Sequence, residues 1–164
     1  AAGSYPVEAV EAMDRVCRGA EKQPVSKRSG HRLYQEFERC DETIALAAMY
    51  AGNHFPGVTA IITLTESGYT PLIMSRIRSH LPIFALSPNS QTLGRVSLMR
   101  GVQAIRFNPA EMAPSDISQT AVTRLLEAGH VKPGDWVILT KGDVYNSRGG
   151  TNSMKLLHVG ERLV

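Results

Sequence analysis

Cysteine is scarce in this sequence, and long apolar runs are absent. The 164 residues include 2 cysteines, Cys17 and Cys40, which lie far apart and outside any CxxC pair. We therefore expect two reduced, half-buried thiols of a cytoplasmic protein and no disulfide framework. The longest apolar candidates, Ala45–Ala51 and Val58–Leu64, fall far short of the roughly 20 residues that a membrane-spanning helix needs. The sequence therefore argues against a disulfide-stapled scaffold and against a membrane protein.

The motifs of several common enzyme classes are also missing. No GxxxxGK[ST] motif is present, which argues against a P-loop nucleotidase, and no GxGxxG motif follows a predicted strand. A GxSxG nucleophile elbow and an HExxH zinc motif are likewise absent. The five histidines lie near predicted element ends or in loops. We accordingly assign no catalytic residue, no metal site and no cofactor to this chain.

Basic residues slightly outnumber acidic ones without forming a stripe. The net charge is +3 and the sequence pI is about 9.0. The arginines and lysines are scattered and are not interleaved with aromatic residues, which make up only 6% of the chain. A nucleic-acid surface needs a clustered basic face, so we expect no nucleic-acid partner. A mild positive balance suits small anionic ligands such as phosphates without requiring them.

The chain divides into a helix, a linker and a globular part. Residues 4–20 carry a helical apolar pattern that starts beside Pro6, and the residues that follow are polar and without periodicity. The sequence has no initiator Met, and we expect a domain cut from a longer protein. The predicted parts are the helix within residues 1–22, the linker over 23–30 and one α/β domain over 31–164.

Apolar runs and helical patterns alternate through the globular part. The predicted helices cover residues 31–54, 71–79, 90–100 and 115–128, and the predicted strands cover 58–64, 82–86, 102–107, 135–140 and 154–159. The first of these helices is expected to turn one face inward, formed by Leu33, Phe37, Cys40, Ile44 and Ala48. Apolar strands separated by helices indicate a parallel sheet buried on both faces.

The last two strands are an exception, because no helical pattern separates them and we expect the final strand to be antiparallel. The predicted fold is therefore an open five-stranded mixed α/β sheet, with four parallel strands and one antiparallel strand. Helices cover both faces of the sheet, and a further helix precedes it.

The segment Thr65-Glu66-Ser67-Gly68-Tyr69-Thr70 joins the first strand directly to a helix. In open α/β sheets ligands bind outside the carboxyl ends of the strands. Gly68 allows a sharp turn and a close approach to a ligand, and N–H groups at a helix N-terminus favour an anion. The hydroxyls of Thr65, Ser67 and Thr70 add donors, so the segment predicts a phosphate cradle without a lysine. The alternative is that these residues only cap and turn the chain, and Glu66 would repel a dianion unless it points away.

A second glycine-rich loop follows the fourth strand. It contains Arg148, which can hold an anion through two hydrogen bonds, and Tyr145, which can stack or hydrogen-bond. The alternative is a mobile hairpin loop without a ligand. The candidate ligand-contacting residues of this loop are Asp143, Tyr145, Arg148, Gly149 and Gly150.

Three stretches are distinctive when taken together: TAIITLTESGYTPLIMSRIRSHLPIFALS (59–87), TLGRVSLMRGV (92–102) and VKPGDWVILTKGDVYNSRGGTNSMKLLHV (131–159). They resemble the C-terminal domain of bacterial pyruvate kinases. The opening stretch, AAGSYPVEAVEAMDRVC (1–17), is similar to the last helix of that family's catalytic barrel. The resemblance spans almost the whole chain.

The resemblance implies a regulatory and oligomerisation domain. Residues 65–70 would hold the phosphate of an allosteric effector, and the 142–151 loop would close over it with Arg148 as the cation. Within this resemblance, the sequence TESGYT (65–70) favours a sugar monophosphate or AMP as the effector over fructose bisphosphate. The helix at 31–54 and the final strand would contribute to the interface of a homotetramer.

The parent enzyme of that family transfers a phosphoryl group from phosphoenolpyruvate to ADP in glycolysis. The magnesium and potassium that it uses would belong to the barrel, as would its catalytic residues, so we expect no kinase activity from this chain alone. Two other functions stay open: a free-standing protein that binds a phosphosugar or nucleotide, and a small α/β enzyme with Ser67 as nucleophile. The second would need a histidine at the carboxyl end of a neighbouring strand.

Overall fold

The computed structural model describes residues 3–22, 36–143 and 150–161 of the chain. Within these residues the elements are, in chain order, α1 (Pro6–Glu21), α2 (Cys40–His54), β1 (Val58–Leu64), α3 (Tyr69–Ser75), β2 (Ile83–Ser87), α4 (Ser90–Val96), β3 (Val102–Arg106), a 3-10 turn (Pro109–Glu111), α5 (Ile117–Glu127), β4 (Trp136–Gly142) and β5 (Thr151–His158). The strands form one sheet in the order β3-β2-β1-β4-β5. All neighbouring strands are parallel except β4 and β5, which confirms the predicted mixed sheet. No helix in the described part of the chain is long and apolar enough to cross a membrane.

The direction of sheet growth reverses at β1. From β1 the chain runs outward through α3 to β2 and through α4 to β3, and it then returns to place β4 on the other side of β1. Loops that leave two neighbouring strands in opposite directions open a crevice between them, where open α/β sheets bind ligands. In this fold the crevice lies between the carboxyl ends of β1 and β4.

Strand β1 is buried on both faces because its side chains alternate between two cores. From residue 60 onward, Ala60, Ile62 and Leu64 join the core under α5, whereas Ile61 joins the core under α2, α3 and α4. Val58 joins this second core as well, before the register shift between Val58 and Ala60. Its β-branched, apolar sequence suits such a central parallel strand. The edge strand β3 differs from the prediction of full burial, since most of its residues are partly or fully exposed.

Helix α2 begins later than predicted. Residues 36–39 are not helical, and the first residues of the predicted helix, 31–35, lie outside the described residues. Arg39 is extended, with φ −119° and ψ 139°, and its guanidinium turns back to the carboxylate of Asp41, where Nη2 lies 2.7 Å from Oδ2. This local ion pair forms at the helix start and has no periodic signature in the sequence.

The inward face of α2 is also rotated relative to the prediction. Ala48 is buried as expected, but Ile44 is only half-buried and Cys40 is exposed. Cys17 is exposed as well, on a helix that buries none of its residues, so the prediction of two half-buried thiols is wrong. The residues that α2 does bury are Asp41, Ala45, Ala48, Met49, Gly52 and Asn53.

Some helices and strands begin or end two to four residues away from their predicted bounds. Helix α3 starts at Tyr69 and ends at Ser75, earlier at both ends than the predicted 71–79. Strand β5 starts at Thr151, because its ladder with β4 continues to Gly142. Gly129 adopts φ 70° and ends α5 as predicted, in a left-handed cap of the kind that glycine favours.

Candidate ligand-binding site

The predicted 65–70 segment lies at the crevice beside the carboxyl end of β1. The N–H of Thr65 donates to the carbonyl of Leu86 at 3.0 Å, which extends the pairing with β2 by one residue. The Thr65 hydroxyl then accepts from the N–H of Gly68 at 2.9 Å, and the Gly68 carbonyl accepts from the N–H of Leu72 at 3.2 Å. These bonds define a tight turn that passes directly from strand to helix.

Gly68 is required by the packing of this turn. Its φ of 79° lies in the left-handed region, which side chains other than glycine adopt only at a cost. A Cβ at this position would lie 2.8 Å from Cγ1 of Val96 on α4, closer than carbon atoms pack. The close approach that the glycine allows is therefore toward α4.

Three backbone N–H groups of the turn have no acceptor among the described residues. Within the part of the chain that the structure describes, those of Glu66, Ser67 and Thr70 donate to no other group. Glu66 and Ser67 are half-buried and Thr70 is buried. Unpaired amide groups at the start of a helix can donate to an anion.

A pair of hydroxyls joins the two predicted loops. Oγ1 of Thr70 lies 2.8 Å from Oγ1 of Thr151, the first residue of β5. Thr70 is 3% exposed and Thr151 is 7% exposed, so both residues are buried where the two loops meet. Two hydroxyls hold two hydrogens, and their mutual bond uses one. One hydrogen therefore stays available to a ligand.

The described ends of the second loop pack tightly. A Cβ on Gly142 would collide with the carbonyl oxygen of Gly150, and Nδ2 of Asn152 donates to Oδ2 of Asp143 at 3.0 Å. Asp143 and Gly150 thus lie where β4 and β5 begin to separate. The other candidates of this loop, Tyr145, Arg148 and Gly149, lie outside the described residues.

Tyr69 connects the turn to the start of α2. Its hydroxyl donates to Oε1 of Glu42 at 2.5 Å, and the Arg39 guanidinium carbon lies 4.7 Å from the centre of its ring. The pKa of Tyr69 is raised above its usual value, first by the hydrogen bond to Glu42 and then by desolvation. The pKa of Arg39 is also raised, chiefly by its hydrogen bonds to Asp41.

The sequence analysis missed the residues that hold the turn from outside. Thr92 and Arg95 on α4 donate to the carbonyls of Glu66 and Ser67, and Glu42 on α2 accepts from Tyr69. Each partner is separated from the turn by more than 20 residues of sequence. No local pattern could have found them.

The site offers neutral hydrogen-bond donors and no metal donor set. Among the described residues, no group of three or more His, Cys, Asp or Glu side chains could hold a metal ion. The Ser67 hydroxyl accepts a long bond of 3.4 Å from the N–H of Tyr69. No histidine in the described part of the chain hydrogen-bonds to Ser67, which gives a serine nucleophile no base.

Comparisons with known proteins agree with this architecture. The family model described as "Pyruvate kinase, alpha/beta domain" matches residues 42–157. The chain is 50% identical over 159 residues to pyruvate kinase II of Salmonella typhimurium, with 97% of this chain and 33% of that protein covered. It is 46% identical over 159 residues to a pyruvate kinase of Buchnera aphidicola, with the same coverage. A Haemophilus influenzae pyruvate kinase is 49% identical over 142 residues, which cover 87% of this chain and 30% of the relative. The chain therefore spans about a third of the length of the curated relatives that it matches.

Proposed function

Because this chain belongs to the pyruvate kinase family as its alpha/beta domain, we propose that it regulates a pyruvate kinase by binding a phosphorylated effector at residues 65–70. The reaction of the whole protein would be phosphoryl transfer from phosphoenolpyruvate to ADP. This domain would supply the binding site and part of the subunit contact, and the remaining length of the protein would supply the catalysis.

The observation that carries the proposal is the set of unpaired donors at the crevice. The N–H groups of Glu66, Ser67 and Thr70 have no acceptor in the described part of the chain, and the Thr70–Thr151 pair has one hydroxyl hydrogen to spare. A phosphate dianion accepts several hydrogen bonds at once, and bonds to a charged acceptor are stronger than neutral ones. The position matches the switch point where open α/β sheets bind ligands.

The number of phosphate groups on the ligand follows from the donors of the turn, which are mostly uncharged. Neutral amides and hydroxyls at one turn suit one phosphate group, which favours a sugar monophosphate or AMP over a bisphosphate. The carboxylate of Glu66 would disfavour additional negative charge nearby. We propose that the 142–151 loop covers the ligand and that Arg148 supplies a cation.

Self-association is the second part of the proposed function. Strand β5 is an edge of the sheet, and an unpaired strand edge is a ready surface for association. Three large apolar side chains are exposed on or beside β5 and α2, namely Tyr50 at 48%, Phe55 at 40% and Leu156 at 39%. We propose that this surface contributes to the interface of a homotetramer.

Helix α1 would join this domain to the rest of the enzyme. It exposes Val7, Val10, Met13 and Val16, which follow helical spacing and form one apolar face. Such a face is normally buried against another part of the protein. The relatives are about three times longer than this chain, and we propose that this face packs on the missing catalytic part. The unpaired thiols of Cys17 and Cys40 suit a cytoplasmic protein, in which thiols stay reduced.

Calorimetric titration of this chain with ribose 5-phosphate, glucose 6-phosphate, AMP and fructose 1,6-bisphosphate tests the proposal. A Ser67→Ala, Thr70→Ala double variant removes two hydroxyls of the turn, and Ser97→Ala removes one exposed hydroxyl from the residue that caps the C-terminus of α4, as a control. We expect one of the monophosphates to bind, the double variant to lose that binding and the control to keep it. Absence of binding by all four ligands, or equal binding by the double variant, would contradict the proposal.

A further inference from the structure

Helix α4 holds the turn through three side chains that lie on one face. The Thr92 hydroxyl donates to the carbonyl of Glu66 at 2.6 Å, and Nη1 of Arg95 donates to the carbonyl of Ser67 at 3.3 Å. Val96 packs against Gly68 between them. Residues three and four apart share a helix face, so the three contacts form one surface against the turn.

This surface determines which way the peptide groups of the turn point. A trans peptide is planar, and its N–H points opposite to its C=O; the described residues contain no cis peptide bond. The carbonyl of Glu66 is bonded to α4, so the N–H of Ser67 in the same peptide group points away from α4. The carbonyl of Ser67 is also bonded to α4, and the N–H of Gly68 correspondingly points away and meets the Thr65 hydroxyl.

The two helix contacts differ in strength. Thr92 is buried, with 4% of its surface exposed, and its bond to the Glu66 carbonyl is short. Arg95 is exposed and its bond is long, so water competes for it. Without the Thr92 bond, the peptide group between Glu66 and Ser67 could rotate, and its N–H would no longer be directed toward a ligand.

We propose that Thr92 is a positioning residue of the anion site: it fixes the Glu66–Ser67 peptide group so that the Ser67 N–H faces a phosphate monoester. Thr92 lies on the far side of the turn and does not touch the ligand. The inference rests on the proposed function and adds to it the residue that pre-orients the donor. Pre-orientation raises affinity by removing an ordering cost at the moment of binding.

The test compares Thr92→Val, which keeps the side-chain shape and removes the hydroxyl, with Thr92→Ser, which keeps the hydroxyl. Ser97→Ala is the control for loss of a hydroxyl beside α4, because Ser97 caps the C-terminus of the helix and its Oγ donates to the Gly94 carbonyl, away from the turn. The probe is ribose 5-phosphate, with inorganic phosphate as a second ligand, in calorimetric titrations. The amide resonance of Ser67 is followed by NMR in the same titrations.

We expect Thr92→Val to bind about tenfold more weakly, as for loss of one hydrogen bond to a charged group, while Thr92→Ser and Ser97→Ala bind as the parent chain does. The Ser67 amide should shift on ligand addition in the parent chain and not in Thr92→Val. If Thr92→Val does not fold, Thr92→Ala compared with Thr92→Ser isolates the hydroxyl, and the same tenfold difference is expected.

Parent-like affinity in the variants without the hydroxyl, or equal weakening in Thr92→Ser, would overturn this inference and leave the proposed function standing. If the parent chain binds neither these probes nor glucose 6-phosphate or AMP, and its Ser67 amide does not respond to any of them, the proposed function fails and this inference fails with it. The two failures are therefore distinguishable.

Discussion

Replacement of Gly68 by alanine tests the packing of the turn on α4 most sharply. Two costs are expected. The φ of 79° lies in the left-handed region, which costs an alanine about 1–2 kcal/mol. The added Cβ would also lie 2.8 Å from Cγ1 of Val96, and forcing extra atoms into a packed site costs about 1–3 kcal/mol. The free energy of unfolding should therefore fall by about 2–5 kcal/mol.

Gly129→Ala is a matched control for the cost of placing an alanine in the left-handed backbone region, without a collision. Gly129 has φ 70°, and a Cβ there would meet no atom within 4 Å. Its substitution should lower the free energy of unfolding by only about 1–2 kcal/mol. The difference between the two variants measures the collision with Val96.

The assay is urea unfolding of the parent chain and both glycine variants, with Val96→Ala added to each. Val96→Ala makes room beside Gly68, so the Gly68→Ala, Val96→Ala pair should be less destabilised than the sum of its single variants, by about 1–3 kcal/mol. No such coupling is expected between Gly129 and Val96. Two results would refute the packing described here. One is a Gly68→Ala variant as stable as Gly129→Ala, and the other is a Gly68→Ala, Val96→Ala pair whose loss of unfolding free energy equals the sum of the losses of its single variants.

Four further outcomes are expected. At pH values below 10.0, the usual tyrosine pKa, Tyr69→Phe should have a lower free energy of unfolding than the parent chain. This difference should shrink as pH rises through the raised pKa of folded Tyr69. Urea unfolding at pH values on both sides of 10.0 checks this, and a difference that does not depend on pH would contradict it. Thr70→Val with Thr151→Val should cost about 1 kcal/mol and weaken ribose 5-phosphate binding, measured by unfolding and calorimetry, whereas unchanged affinity would remove the pair from the site. Glu66→Gln should strengthen phosphate binding, more so at low salt, and weaker binding in calorimetry would show that the carboxylate does not oppose the ligand. The chain alone should transfer no phosphoryl group from phosphoenolpyruvate to ADP with magnesium and potassium present, because that reaction needs positioned cations; turnover above a blank in a coupled assay would overturn this.

Local patterns in the sequence were sufficient to predict the strands. The run Val58–Leu64 is β-branched and apolar and forms β1 with the predicted bounds, and the short separation before the final strand correctly indicated an antiparallel pair. The late start of α2 could not be predicted in the same way, because it depends on the conformation of Arg39 and its ion pair with Asp41. Ion pairs of this kind have no periodicity.

The candidate site was predictable only in part, for a related reason. The strand-to-helix turn is visible as Ser, Thr and Gly residues next to an apolar run, and the structure places it between the end of β1 and the start of α3. The contacts that orient it, from Thr92 and Glu42, join segments that are distant in the chain. The role of Gly68 likewise depends on Val96, and only the folded packing brings the two together.

A crystal structure of this chain with the monophosphate that binds most tightly in the calorimetric titrations would test the central claim most directly. The account predicts phosphate oxygens within hydrogen-bonding distance of the N–H groups of Glu66, Ser67 and Thr70, at the crevice between β1 and β4. A phosphate bound elsewhere, or a turn that stays empty at saturating ligand, would contradict it.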